Sequence, residues 1–366
     1  MNPSVLFLFK SGRRARQAEG GPREFFYGFT QMADHGIHAE MLEEENLPIP
    51  AWLCGPVERL STRLLDSLAA LNAQTLARFS SAIALDRLNH AGAIVATTNA
   101  QGLVLGALRK FGLLKTPVLF LPMGVWPFET SYWRQCRLKA WLESLALAPI
   151  GKPEAAWLMQ RLPPSCDLAY LPFGIDTDFW SPEITPVTED FVLSIGNDPQ
   201  RDWPTLAKAW QPGLPPLKIV TRRTVPPSSG QIELMRGDWN SRPLSDSQIR
   251  QLYRQARFVV LPIKRTIQPS GQSACLQAMA CAKAVILTDS GGLWDDELLI
   301  DGQTCLLVPP GDPEALAKAA KRLMEDTELA GRLGRAALEK VQARFSINRM
   351  GHELASRLRN LTGSSS

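Results

Sequence analysis

Arg201 stands five residues after Gly196 and just ahead of a stretch with helical spacing, so a glycine turn and a helix start flank one planar guanidinium. That fork suits the paired oxygens of a phosphate, and its charge is fixed at any working pH. Asp176 and Asp178 form the other conspicuous pair. Two carboxylates at this spacing could hold a metal, but they lie in a proline-bounded stretch, 171–182, that reads as a linker. Six cysteines (Cys54, Cys136, Cys166, Cys275, Cys281, Cys305) show no C-x-x-C spacing and the four histidines are scattered, which points away from a zinc site and from a disulfide framework. Gly20 and Gly21 read as a turn or, less simply, as a phosphate contact. Met279 reads as core, and the acidic cluster 295–297 as a solvated helix start. Trp133, Arg134, Arg137, Lys139 and Trp141 mix aromatics with cations, as a contact with an anionic membrane would, although ordinary surface explains them too. No nucleophile with an adjacent base stands out.

The elements that must position these residues alternate. Short apolar runs at 5–9, 93–96 and 118–121 are separated by stretches of helical spacing, such as Leu103, Ala107, Leu108 and Phe111. After the first run comes a glycine-bearing loop to Gly21, then a helical stretch through Phe25, Phe29 and Met32. The second half repeats the alternation, with strands expected at 191–195, 218–221, 258–261, 284–288 and 305–308. Strand and helix in alternation give an α/β fold with parallel sheets, and such sheets take ligands beyond the carboxyl ends of their strands. The chain's 366 residues fit two such domains. The boundaries read as 1–175, 176–345, and a terminal helix in 346–366 that packs back on the first domain before a disordered Gly-Ser-Ser-Ser tail.

Composition narrows the function classes. The content is 45% hydrophobic and 21% charged, which is ordinary for a globular chain, and 40 basic against 36 acidic residues leave only +4. That balance argues against a nucleic-acid binder. No apolar run approaches the roughly 20 residues of a membrane-spanning helix, and the first apolar run precedes its charges, the reverse of a secretion signal. A cytoplasmic protein, peripheral to the membrane at most, is the expectation.

Three stretches, in order, carry a resemblance. LPFGIDTDFWSP (171–182), LSIGNDPQRDWPTLAKAW (193–210) and QPSGQSACLQAMACAKAVILTDSGG (268–292), the last followed by LIDGQTCLLVPPGDPEALAKA, resemble the retaining glycosyltransferases of family 4, which have the GT-B fold. EGGPRE near the amino end is weakly similar to that family's Gly-Gly-x-Glu loop and places Gly21 there. The resemblance implies two doubly wound, Rossmann-like domains facing across a cleft. It implies transfer of a sugar from a nucleotide diphosphate sugar, with retention, to a glycan, lipid or small-molecule acceptor, and no metal or other cofactor. Arg201 takes the place of the family's diphosphate lysine. Ser270, Gly271, Gln272 and Ser273 occupy the loop-to-helix entry whose amides would cradle anionic oxygens.

The chain departs from the family pattern where two glutamates are usual, seven residues apart. Pro269 and Gln277 stand there, so the sugar contact lacks its carboxylate and the ribose would be met by a neutral amide. Asn197 replaces a second cation after Gly196, with Lys264 or Arg265 as the substitutes in reach. Met123 replaces a histidine facing the sugar. Two other readings keep the fold: a nucleotide-sugar-binding protein that has lost catalysis, and a nucleotide-sugar epimerase.

Overall fold

The computed structural model describes residues 4–49, 69–183, 188–237 and 244–363, and Cys54 and the last three serines lie outside these. The chain divides into two compact units, one made of Met1–Pro172 with Asn348–Ser366 and the other of Phe173–Ile347.

In the first unit the elements run β1 (Val5–Phe9), α1 (Arg13–Glu19), β2 (Ala39–Glu43), α2 (Ala73–Phe79), α3 (Ala82–His90), β3 (Ala93–Ala96), α4 (Asn99–Lys110), β4 (Val118–Phe120), α5 (Tyr132–Leu142), β5 (Ala146–Leu147) and α6 (Lys152–Met159). The sheet is parallel, ordered β2-β1-β3-β4-β5. The whole of VLFLF in β1 is buried, because a strand between two parallel neighbours is covered on both faces, and its sequence is accordingly a continuous apolar run. Edge strands escape that rule. AEMLE in β2 mixes polar with apolar residues, and β5 has two residues, so neither stands out in the sequence.

The helix expected through Phe25, Phe29 and Met32 is replaced by three short 3₁₀ turns, Glu24–Phe26, Phe29–Gln31 and Ala33–His35. Tyr27 at φ 50° breaks the helical course between the first two. What fixes the segment is ring packing: Phe29 meets Phe7 edge-on at 5.3 Å and Phe26 meets Phe9 at 6.3 Å. The α-helix lies earlier, in α1, within the expected loop. Only Arg16 of α1 is buried, so it has no apolar stripe to announce it.

In the second unit the elements are β6 (Val192–Ile195), α7 (Trp203–Ala209), β7 (Leu217–Val220), β8 (Ile232–Met235), α8 (Asp246–Gln255), β9 (Val259–Leu261), α9 (Gln272–Ala280), β10 (Val285–Thr288), β11 (Leu306–Val308), α10 (Pro313–Glu325) and α11 (Thr327–Arg344). The sheet order is β11-β10-β9-β6-β7-β8, again parallel. The expected strands all appear within one residue at either end, and β8, an edge strand with exposed Glu233 and Leu234, is the addition. Helix starts are capped as their sequences suggest, by Asp202, Ser245, Asp312 and Asp326. The terminal helix α12 (Ile347–Thr362) returns to the first unit, where Arg357 bonds Asp167 at 2.7 Å and Arg359 bonds the His35 carbonyl at 2.8 Å. Among the described residues no helix is long and apolar enough to cross a membrane.

One buried group of the first unit couples the fold to pH. Glu154, in the first turn of α6, accepts the Val125 N–H at 2.9 Å and is 1% exposed, with Oε2 unpartnered. Burial, opposed by its backbone bonds to Gly124 and Val125, lifts its carboxyl from 4.5 to about 7. The native state therefore keeps a proton that the unfolded chain gives up, and stability falls as pH rises from 4.5 to 7, by about 3 kcal/mol over the window. Glu154→Gln is expected to remove that slope and to melt several degrees above the parent at pH 8 but close to it at pH 5. Thermal denaturation at both pH values is the check, and parallel profiles would refute the assignment.

Candidate functional site

The second sheet changes direction between β6 and β9: β7 and β8 build outward on one side of β6, and β9 then returns to the other. At such a switch point the loops leaving the two strands diverge to opposite faces and open a crevice beyond the carboxyl ends. Here those loops touch. Arg201 pairs antiparallel with Ile263, the Lys264 N–H bonds the Gln200 carbonyl at 2.8 Å, and the Asp202 N–H bonds the Pro262 carbonyl at 3.0 Å.

Arg201 is 4% exposed. Its Nε lies 3.0 Å from Asp198 Oδ2, an ion pair without hydrogen-bond alignment, and neither Nε nor Nη1 has a hydrogen-bond partner. The guanidinium fits because two neighbours lack side chains. A Cβ on Gly196 would stand 2.1 Å from Nε, and one on Gly271 would stand 3.0 Å from Nη1. The Ser270 hydroxyl donates to the other Asp198 oxygen, so one acid ties the two loops together.

Gly271 is the N-cap of α9 at φ +78°, a conformation glycine adopts without strain. The first-turn amides of Ser273 and Ala274 have no helical carbonyl to bond, and the helical ladder begins with the Cys275 N–H on the Gly271 carbonyl at 2.9 Å. Gln272 is buried and Ser273 half-buried. The loop ahead of the helix is fastened to β10 and its sequel by Ile263 N–H to Thr288 Oγ1 at 3.1 Å and Thr266 N–H to the Ser290 carbonyl at 3.0 Å. Lys264 and Arg265 are exposed on this loop.

The structure thus brings Arg201, Ser270 and Gly271 into contact and sets Gln272, Ser273 and Lys264 beside them. Gln277 sits further along α9, 8% exposed, with Oε1 accepting the hydroxyl of buried Tyr253 at 3.1 Å. Gly21 belongs to the first unit. It follows Gly20, which ends α1 at φ +73° with its N–H on the Gln17 carbonyl, so the pair forms a helix-terminating turn there. Cys275, Cys281 and Cys305 are buried and their thiols are pushed up by burial, the latter two to about 12, which makes them poor nucleophiles.

Other sequence readings resolve differently. Asp176 is buried and its carboxylate accepts the Phe179 N–H at 3.4 Å. Among the described residues no three His, Cys, Asp or Glu side chains gather as a metal would need. Asp295 is fully buried in a turn, accepting the Glu297 and Leu298 N–H groups at 2.9 and 3.0 Å, and so is no solvated helix start. Trp141 is core, bonded to the Ala69 carbonyl at 2.8 Å, whereas Tyr132 and Trp133 are 72% and 75% exposed. Met123 has both main-chain polar atoms held by the Asn99 side chain, at 2.9 and 3.0 Å.

Comparison with known proteins bears on the family and the fold. Residues 239–326 match the family model described as Glycosyl transferases group 1. Over 114 residues, 30% of this chain and 28% of the relative, the sequence is 36% identical to alpha-maltose-1-phosphate synthase of Mycolicibacterium smegmatis. Over 88 residues, 24% of each chain, it is 34% identical to the lipopolysaccharide core biosynthesis mannosyltransferase LpcC of Rhizobium leguminosarum bv. viciae. The match therefore spans under a third of either relative. Across nearly all of the chain the fold is similar to sucrose-phosphate synthase from Thermosynechococcus elongatus, with TM-score 0.72 and 20% identity over 99% of this chain and 100% of that one. It is also similar to Anabaena Alr3699/HepE in complex with UDP and glucose, with TM-score 0.65 and 17% identity over 97% and 99%. At these identities the likeness speaks for the fold, which is GT-B. The ordered motifs of the second unit, the match of residues 239–326 to the group 1 glycosyltransferase model and the GT-B fold agree with one another.

Proposed function

We propose that the chain moves a sugar from a nucleotide diphosphate sugar to an acceptor, without a metal and with retention at the anomeric carbon. The observation that carries this reading is the buried Arg201 guanidinium, with donors unused, at the switch point of the second sheet. A buried donor without a partner costs about 1–3 kcal/mol, and a diphosphate oxygen would recover that energy. Negative charge on the diphosphate grows as the glycosidic bond breaks. Arg201, Lys264, the Ser273 hydroxyl, the Gln272 side chain and the amides after Gly271 are the groups that would stabilise it, with Ser270 holding Asp198 beside Arg201, in a frame already built. The departing phosphate is itself a base that can take the acceptor's proton, so the chemistry asks for no enzyme nucleophile. HepE, which shares the fold, has been crystallised with UDP-glucose, in line with this donor class.

In this reading Gln277 meets the ribose. Exposed Tyr132 and Trp133 beside Arg134 and Arg137 support peripheral contact with an anionic membrane from the cytoplasmic side, where a lipid-linked acceptor would lie. Loss of catalysis with retained binding is the competing reading, and donor hydrolysis without acceptor separates the two, since an enzyme releases free nucleotide slowly and a binding protein does not.

Arg201→Met keeps the aliphatic stem and removes the fork. It is expected to weaken UDP, GDP or ADP, whichever binds the parent best, by about tenfold or more, from the loss of a charge-assisted contact. Calorimetry giving equal affinities would refute the role. Hydrolysis and transfer are expected to persist in EDTA, and activity abolished by the chelator and restored by Mn²⁺ would overturn the metal-free mechanism. If Gln277 bonds the ribose, the parent should prefer a nucleoside diphosphate over its 2′-deoxy form by about two- to tenfold, and Gln277→Ala should lose that preference. A preference unchanged in the variant removes Gln277 from the site.

A further inference from the structure

We infer that Arg223, from the turn after β7, is the second cation of the donor site and holds the diphosphate together with Arg201. This deepens the donor-site reading above and rests on it. The position after Gly196 is Asn197, and its polar atoms are occupied by the protein itself. Its Nδ2 donates to the Gly237 carbonyl at 2.7 Å, and its Oδ1 accepts the Arg222 N–H at 2.7 Å. Asn197 therefore ties the carboxyl ends of β6, β7 and β8 to one another, and its side chain is committed as a clamp.

The Asn197 main-chain carbonyl accepts a hydrogen bond from Arg223 Nε at 2.5 Å. The Arg223 backbone is fixed as well, with its N–H on Thr221 Oγ1 at 3.1 Å, and that hydroxyl in turn donates to the Gly196 carbonyl at 2.8 Å. Arg223 is exposed, and among the described residues its two terminal nitrogens have no partner and its charge has no counter-ion. An exposed arginine ordinarily swings through many rotamers. This one is held through Nε, which leaves the outer edge of the fork presented for another group.

Two adjacent residues thus hold two guanidiniums: Gly196 packs against Arg201, and Asn197 binds Arg223. The nearby acid, Asp198, is already shared by Arg201 and Ser270. The pair suits an anion with two charged groups in series, and a nucleoside diphosphate meets that description better than a monophosphate. Lys264 and Arg265, the substitutes suggested by sequence distance, are exposed and their side chains bond nothing among the described residues, so no contact holds either charge in place.

The test is calorimetry of the parent, Arg223→Gln, Lys264→Gln and Arg201→Met against UDP, GDP and ADP and the matching monophosphates, with melting temperatures beside them. Arg223→Gln is expected to weaken the preferred diphosphate about tenfold, to weaken its monophosphate far less, and to exceed the effect of Lys264→Gln. Diphosphate affinity unchanged in Arg223→Gln but lost in Arg201→Met would overturn this inference and leave the donor site standing. Equal losses for diphosphate and monophosphate would also overturn it. A parent that binds none of the nucleotides would refute the donor-site reading, and this inference with it.

Discussion

Arg201 is a cation almost fully enclosed at the point where two strands of a parallel sheet part, and much of the surrounding sequence follows from making room for it. A buried guanidinium is tolerated when it is paired and costly when its donors are left over. Here one acid partly compensates it and two donors remain. Glycine at 196 and 271 is required by van der Waals distance, since any side chain at 196 would overlap the guanidinium. Asp198 serves both Arg201 and Ser270, and so joins the loop after β6 to the loop that enters α9. The site is a rigid frame with unmet hydrogen-bonding capacity, and the unmet part is what a phosphate would satisfy.

Around that frame the protein uses backbone-directed side chains as clamps. Asn197 fastens three strand ends in the second unit, and Thr288 fastens the loop ahead of α9. The first unit does the same after β4, where Asn99 holds Met123 and Glu154 holds Val125. Polar side chains are thereby spent on holding main chain. Glu154 shows the cost, because its carboxyl is buried with one oxygen unpartnered and titrates near neutrality.

The central strands were legible because a strand covered on both faces must be apolar throughout, as VLFLF is, whereas β2, β5 and β8 sit at edges or are too short to leave a pattern. The turns at 24–35 differ from the expected helix because aromatic spacing alone does not distinguish a helical stripe from rings packed edge-on against Phe7 and Phe9. At the site, Arg201, Ser270 and Gly271 could be named from a glycine turn and a family resemblance, because local chain geometry dictates both. Arg223 could not. It is 26 residues from Asn197, and only the parallel pairing of β6 with β7 brings the two together. Asp295 looked solvated as part of an acidic run, yet its carboxylate turns inward to cap a turn.

The central claim is that the nucleotide diphosphate binds beyond the carboxyl ends of β6 and β9. The second unit also has a cavity of about 540 Å³ at the opposite ends of its strands, lined by Arg254, Arg257, Lys283 and Arg335 among others, which could attract an anion instead. Amide hydrogen exchange of the full chain with and without saturating nucleoside diphosphate decides between the two ends of the sheet. The account expects slowed exchange in the loops around residues 196–201, 221–223 and 264–274 and none at the far end. Slowed exchange confined to residues 188–190, 281–284 and 330–335 would contradict it.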